Sequence, residues 1–168
     1  MVVVSDATSG GRLLALQQPA MTNDLAFSPD GALLALAGND YRVRLLNIPS
    51  GSLARTMSDH TDALTSVEFS PGGDLLLSTS KDNSARIWDV ASGTMAKPTI
   101  YLNETIVDGH FDATGTRVAL ASLNFGLLIQ RISPAPVYQS DISDDLWSIL
   151  VPQLEVTTSR VDMGMAYV

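Results

Sequence analysis

The chain contains no cysteine, so neither a disulfide framework nor a thiolate metal site is open to it. Lysine is almost as scarce. Of the ten basic residues only Lys81 and Lys97 are lysines, no basic cluster occurs, and the formal net charge is −8. That balance argues against a nucleic-acid partner held through its phosphates and against an anionic membrane surface. Long apolar runs are missing too. The longest, Ala32 to Ala37, falls far short of a membrane span. Met1 to Gln17 has neither the basic start nor the apolar stretch of a secretory signal. These absences set the expectation of a soluble, intracellular protein of the cytoplasm. Charged residues make up 17% of the chain and apolar residues 45%, enough to build a core and too apolar for a disordered chain.

What is present is a repeat. Phe27, Phe69 and Phe111 are evenly spaced, with no insertion or deletion between them. Phe27-Ser28-Pro29-Asp30-Gly31 returns as Phe69-Ser70-Pro71-Gly72-Gly73, and in worn form as Phe111-Asp112-Ala113-Thr114-Gly115. A period of roughly 40–45 residues built from short strands marks a propeller blade. A single blade cannot bury both faces, so blades must stack.

The second unit reads most clearly. Leu64 to Phe69 alternates as a half-buried strand should. Ser70-Pro71-Gly72-Gly73 is turn chemistry, Leu75 to Ser80 a covered inner strand, Lys81-Asp82-Asn83 a hairpin, and Ser84 to Val90 a third strand. Thr94 to Tyr101 reads as a weaker fourth strand, with Pro98 tolerable only at an edge. The first unit repeats the order over Asn23–Phe27, Leu33–Gly38, Arg42–Ile48 and Ser52–Met57. The third does so over Ile106–Phe111, Arg117–Ser122, Gly126–Ile132 and a short strand near Val137–Gln139. Val2 to Asp6 and Arg12 to Leu16 look like the third and fourth strands of a preceding blade. The expected fold is therefore all-β: an incomplete propeller of about three four-stranded blades, over residues 17–58, 59–101 and 102–140. Residues 1–16 are outer strands of another blade, and 141–168 are a non-repeat tail. The tail lacks the turn motif, with Gln153 standing where a further copy of Phe111 would fall. It is not expected to build a regular fourth blade with residues 2–16, and Trp147 is expected to press on blade three.

Ala85-Arg86-Ile87-Trp88-Asp89 carries a Trp-Asp pair, and Asp59-His60 lies upstream of it where a Gly-His pair would stand. On these residues, the period and the Ser-Pro-Asp-Gly turn, the chain resembles the WD40-repeat family. The resemblance covers Asn23 to about Ile132 well and Val2 to Leu16 weakly. It implies a hydrogen-bonded set of His60, Ser78 or Ser80, Asp82 and Trp88. Unit one keeps Asp40 but has Gln18 and Leu46 at the His and Trp positions; unit three has Leu102, Asn124 and Gln130. Only blade two holds the full set, which predicts that it is the most rigid.

The resemblance further implies a protein-interaction scaffold that is not an enzyme, uses no cofactor and binds a protein or peptide. Its top face would present Met21, Asn23, Asn39, Ala63, Thr65, Lys81, Thr105 and Leu123. The usual ring has about seven blades, so the expectation is a fragment of a larger propeller protein, or self-association through open blade faces. Two copies of three and a half blades would count seven. Two other readings stay open at this stage. One is a propeller hydrolase using Ser80, His60 and Asp82, although no Gly-x-Ser-x-Gly elbow is present. The other is a degenerate fragment without activity of its own. No metal site is expected: His110 has Asp108 and Asp112 beside it but no second histidine at ligand spacing. Asn103-Glu104-Thr105 is a glycosylation tripeptide expected to be idle. Asp141, Asp144 and Asp145 form either a solvated segment or a dock for a basic partner.

Overall fold

A computed structural model of the chain describes residues 1–124 and 126–132. Thirteen strands occupy them: β1 Val2–Ser5, β2 Arg12–Leu16, β3 Thr22–Phe27, β4 Leu33–Gly38, β5 Val43–Asn47, β6 Leu53–Met57, β7 Leu64–Phe69, β8 Leu75–Ser80, β9 Ser84–Asp89, β10 Ile100–Tyr101, β11 Ile106–Phe111, β12 Arg117–Ser122 and β13 Gly126–Arg131. They form four antiparallel sheets in the orders β1-β2, β3-β4-β5-β6, β10-β9-β8-β7 and β11-β12-β13. Among the described residues no helix is long and apolar enough to cross a membrane. The expected fourth strand near Val137–Gln139 and everything expected of residues 141–168, Trp147 included, lie outside the described residues.

Each blade is shaped by the same local chemistry at the same place in the repeat. The first turn closes with Gly31, Gly73 and Gly115 at φ 71°, 78° and 67°, a conformation that costs a side chain about 1–2 kcal/mol. In the first two blades a buried serine holds that turn. Ser28 Oγ accepts from Leu33 N at 2.8 Å and donates to Asp30; Ser70 Oγ accepts from Leu75 N at 3.0 Å and donates to Asp74. In blade three Asp112 takes the serine's place, accepting from Thr116 N and Arg117 N. The worn third copy thus keeps the turn by different means.

The register slips once in each inner strand, between Thr22 and Asp24, Leu64 and Ser66, and Ile106 and Asp108. These bulges share one position in the repeat. A bulge re-aims its side chain, and in the first two blades it aims across to the next one. Asn23 Nδ2 donates to Leu64 O at 2.7 Å, and Thr65 Oγ1 donates to Ile106 O at 2.7 Å. Carboxylates add a second link: Asp24 accepts from Val67 N, and Glu68 accepts from Phe111 N.

Between the sheets lie three apolar cores. Val2 and Val4 meet Leu34, Leu36 and Leu46 of blade one. Ala35, Ala37, Val43 and Leu45 of blade one meet Val67, Phe69, Leu76 and Trp88 of blade two. Leu77, Ala85 and Ile87 of blade two meet Ile106, Val118 and Leu120 of blade three. Each fully buried large side chain contributes about 1.5–3 kcal/mol. The strands alternate because each sheet is wedged between neighbours, one residue facing each way.

Several strands differ from expectation by a residue at an end, and two of the differences have a local cause. The fourth strand of blade two is only Ile100–Tyr101 plus a lone bridge from Trp88 to Met95. Pro98 has no N–H to give the ladder, and between the two pieces the backbone pairing with β9 comes down to Ala96 N donating to Ile87 O. The third strand of blade one starts at Val43 rather than Arg42, because Tyr41 adopts φ 69° in the hairpin. Asn83, at the same place in blade two, has φ 66°. Asparagine tolerates this region and tyrosine does not. Tyr41→Asn is therefore expected to stabilise the fold by roughly 1 kcal/mol, read as a rise in the urea midpoint at unchanged slope.

Candidate functional site

The strands of blade two bring four distant side chains into one line. His60 precedes β7, Ser78 is on β8, Asp82 lies in the β8–β9 hairpin and Trp88 is on β9. Trp88 Nε1 donates to Ser78 Oγ at 2.8 Å, Ser78 Oγ and His60 Nε2 are 2.8 Å apart, and His60 Nδ1 and Asp82 Oδ2 are 2.9 Å apart. Indole can only donate and carboxylate only accept, so the chain has one direction. Ser78 donates to Nε2, and Nδ1–H donates to Asp82. The serine left open by the sequence is thus Ser78. Ser80 turns elsewhere: its hydroxyl lies 3.0 and 3.1 Å from the carbonyls of Asp62 and Ala63, and accepts from Asp82 N.

Asp82 is the hub. It accepts from Thr61 N at 2.9 Å, from Ser84 N at 3.0 Å and from Ser84 Oγ at 2.6 Å, besides His60. Burial pushes its pKa up, but the Ser84 hydroxyl, Thr61 N–H and His60 outweigh that and bring it down to about 2. Burial dominates at His60, lowering its pKa below the ordinary 6.5 despite the pull of Asp82. Ser84 was missed by the sequence reading. The only signal was a hydroxyl two residues after an aspartate in a hairpin, which is common chemistry for holding a turn.

The sign of the pH effect follows. The unfolded chain binds a proton on His60 at a higher pH than the folded one does. Its contribution is therefore complete above pH 6.5 and fades as pH falls from there through the lowered folded value. Asp82 adds a second loss between about 3.8 and about 2. Between about pH 7 and pH 5 the wild-type urea midpoint is expected to fall relative to that of His60→Gln, His110 with its raised pKa acting the opposite way in both proteins.

Blade one solves the same geometry differently. Asp40 and Arg44 match Asp82 and Arg86, but Gln18 stands where His60 does. With no imidazole, Asp40 pairs with Arg44 through both oxygens, one contact at 3.0 Å. Hydrogen bonding to Arg44 lowers the Asp40 pKa. Room for this pair depends on Gly38, whose position a Cβ would fill against the Asp40 carboxylate; blade two has Ser80 there. Because His60 holds Asp82, Arg86 turns to Met95 and Thr99, and among the described residues its Nε is buried without a partner.

The hydrolase reading does not survive this geometry. Ser80 does not face His60, and both Ser80 and Ser78 are fully buried. A nucleophile needs an open approach beside an oxyanion hole. Among the described residues no cluster of three His, Cys, Asp or Glu could hold a metal ion. His110 instead bridges Glu68 and Asp108 at 3.2 and 3.1 Å, and hydrogen bonding to Glu68 raises its pKa.

At the hairpin end of the blades one backbone bond recurs: Asn39 N to Met21 O, Lys81 N to Ala63 O, and Leu123 N to Thr105 O. These six residues occupy equivalent places in the three blades. Met21, Asn39, Lys81 and Leu123 are exposed; Thr105 is half-buried. Ala63 is buried and offers no contact surface, a correction to its place in the expected set. Asn23 is exposed and Thr65 half-buried, and their side chains also bond the next blade's carbonyls.

A family model, WD domain, G-beta repeat, matches residues 17–47 and 51–89. These segments contain the three inner strands of blades one and two and the whole His60–Trp88 network. A search of the curated proteins found no match. The repeat period, the four-stranded sheets and these matches agree: the chain carries WD40 repeats over residues 17–47 and 51–89, and its all-β fold is that of an incomplete WD40 β-propeller.

Proposed function

We propose that this chain is a scaffold that binds a protein or peptide at the hairpin end of its blades, through Met21, Asn39, Lys81 and Leu123. WD40 repeats are generally protein-interaction scaffolds. The observation that carries the reading is the division of labour within the blades. The polar side chains of catalytic type in blade two are buried and mutually satisfied, while end residues of all three blades are exposed. Met21 and Leu123 offer apolar anchors, Asn39 an amide and Lys81 a single cation. Such a mixed, nearly neutral surface suits a peptide with an apolar side chain and one acidic group better than a polyanion.

The test is a displayed peptide library selected on the purified chain, with enriched peptides measured by calorimetry. Met21→Asp and Leu123→Asp should each weaken binding about tenfold, near 1.4 kcal/mol. Thr114→Asp, on an exposed turn at the opposite end, should not. No enriched peptide, or affinity indifferent to Met21 and Leu123, would remove the proposal.

A further inference from the structure

Two arginines stand at the same place in the repeat and are compensated differently. Arg44 on β5 pairs across the ladder with Thr56 on β6, and its guanidinium holds Asp40. Arg86 on β9 is its equivalent one repeat later. It is only 8% exposed. Its Nη1 lies 3.3 Å from Thr99 Oγ1 and 3.5 Å from Met95 Sδ, and among the described residues its Nε is buried without a partner. The ion pairs among the described residues are made by Arg44, His60, His110 and Arg117, and none by Arg86. A cation taken out of water calls for an opposite charge, and a hydroxyl and a thioether do not supply one.

Thr99 is the group within reach. The register Ile100↔Ala85 sets it beside Arg86, as Arg44↔Thr56 does in blade one. It is half-buried, follows the exposed Pro98, and stands where the fourth strand of blade two is interrupted. Between Met95 and Ile100 the backbone pairing with β9 is confined to Ala96 N and Ile87 O. A segment held by so few backbone bonds opens locally at low cost, and proline keeps the residue before it extended. Both properties suit a stretch that must enter a modifying enzyme.

We propose that Thr99 is a phosphorylation site whose phosphate is held by Arg86. A serine/threonine kinase moves the terminal phosphoryl group of a nucleoside triphosphate to Thr99 Oγ1. The new P–O bond forms as the bond to the nucleoside diphosphate breaks, and the hydroxyl proton passes to the kinase's base. The product carries about −1.5 to −2 charge and three acceptor oxygens. It supplies the anion that Arg86 lacks, and a guanidinium meets phosphate through paired hydrogen bonds. The modification therefore pins the segment around Thr99 to β9. It involves none of the hairpin-end residues proposed for peptide binding.

The full chain with phosphothreonine placed at position 99 by codon suppression should unfold in urea at a higher midpoint, its unfolding constant in water about tenfold smaller or less. Phosphothreonine at position 56 should give no such rise, because Arg44 already holds Asp40. In Arg86→Gln the gain at position 99 should vanish. Should Arg86→Gln fail to fold, ³¹P titration of the wild-type chain decides: the second phosphate pKa should be lower at position 99 than at position 56. Incubation of the unmodified folded chain with magnesium ATP and a panel of purified serine/threonine kinases, followed by mass spectrometry, should find Thr99 phosphorylated. No rise at position 99, an equal rise at position 56 or in Arg86→Gln, equal phosphate pKa values at the two positions, or a Thr99 that no kinase of the panel modifies would each overturn the proposal.

Discussion

Replacing His60 or Asp82 by alanine is expected to destabilise the fold by about 1–3 kcal/mol, because each change strands buried polar partners. The two losses differ in what they orphan. Without His60, Ser78 loses its acceptor and Asp82 keeps three other donors. Without Asp82, the Nδ1 hydrogen, Thr61 N, Ser84 N and the Ser84 hydroxyl all lose their acceptor, so Asp82→Ala is the larger. Gln18→Ala, at the equivalent place in blade one, should change stability by less than about 0.5 kcal/mol. The reason is that Asp40 is held by Arg44 and not by Gln18. Urea melts of the three variants decide this, and equal effects would show that the network is not peculiar to blade two.

Gly109→Val is expected to be as damaging by a different route. A Cβ at Gly109 would meet Thr79 Cγ2 at 2.8 Å and the Cδ2 atoms of Leu77 and Leu120 at 3.0 Å. The equivalent residue in blade two is Val67, which fits because its neighbours across the interface, Ala35 and Ala37, are small. In the next interface Leu77 and Thr79 replace those alanines, and glycine replaces the valine. Volume is conserved while the residues trade sides. Gly109→Val should cost about 2–3 kcal/mol through overpacking, and Leu77→Ala alone about 2–5 kcal/mol through the cavity it leaves. The double variant, which restores one of the two small neighbours of the first interface and leaves Thr79 in place, should lose at least about 1 kcal/mol less than the sum. Strict additivity would contradict the compensation.

The strand order was legible because turn chemistry and apolar alternation recur at one fixed interval, and the Trp-Asp pair of Trp88 and Asp89 set the phase of the repeat. The bulges at Asn23 and Thr65 were not legible. A bulge is a property of pairing, and Asn23 and Thr65 read simply as exposed polar residues at the start of a strand. Their bonds to Leu64 O and Ile106 O appear only when two blades are adjacent. The choice between Ser78 and Ser80 was undecidable for a related reason. Both point to the same side of β8, and only the position of His60 selects between them. The exchange of His60 for Arg44 as the carboxylate's partner also escaped the one-dimensional reading. It depends on the space above Gly38, which no residue pattern declares. The fourth strand of blade two is shorter than expected because Pro98 gives no N–H to the ladder; its composition placed Pro98 at an edge but did not set the length of the surviving ladder.

The buried polar line in blade two is expected to make the middle of the stack its most stable part. Every residue of β9 before Asp89 is buried, whereas every residue of β13 is exposed or half-buried. Native-state amide hydrogen exchange read strand by strand is the direct measurement. The amides of β8 and β9 should exchange at least about tenfold more slowly than those of β4, β5, β12 and β13, and His60→Ala should abolish that difference. Exchange that is equally slow in blade one or blade three, or a pattern unchanged in His60→Ala, would contradict the claim.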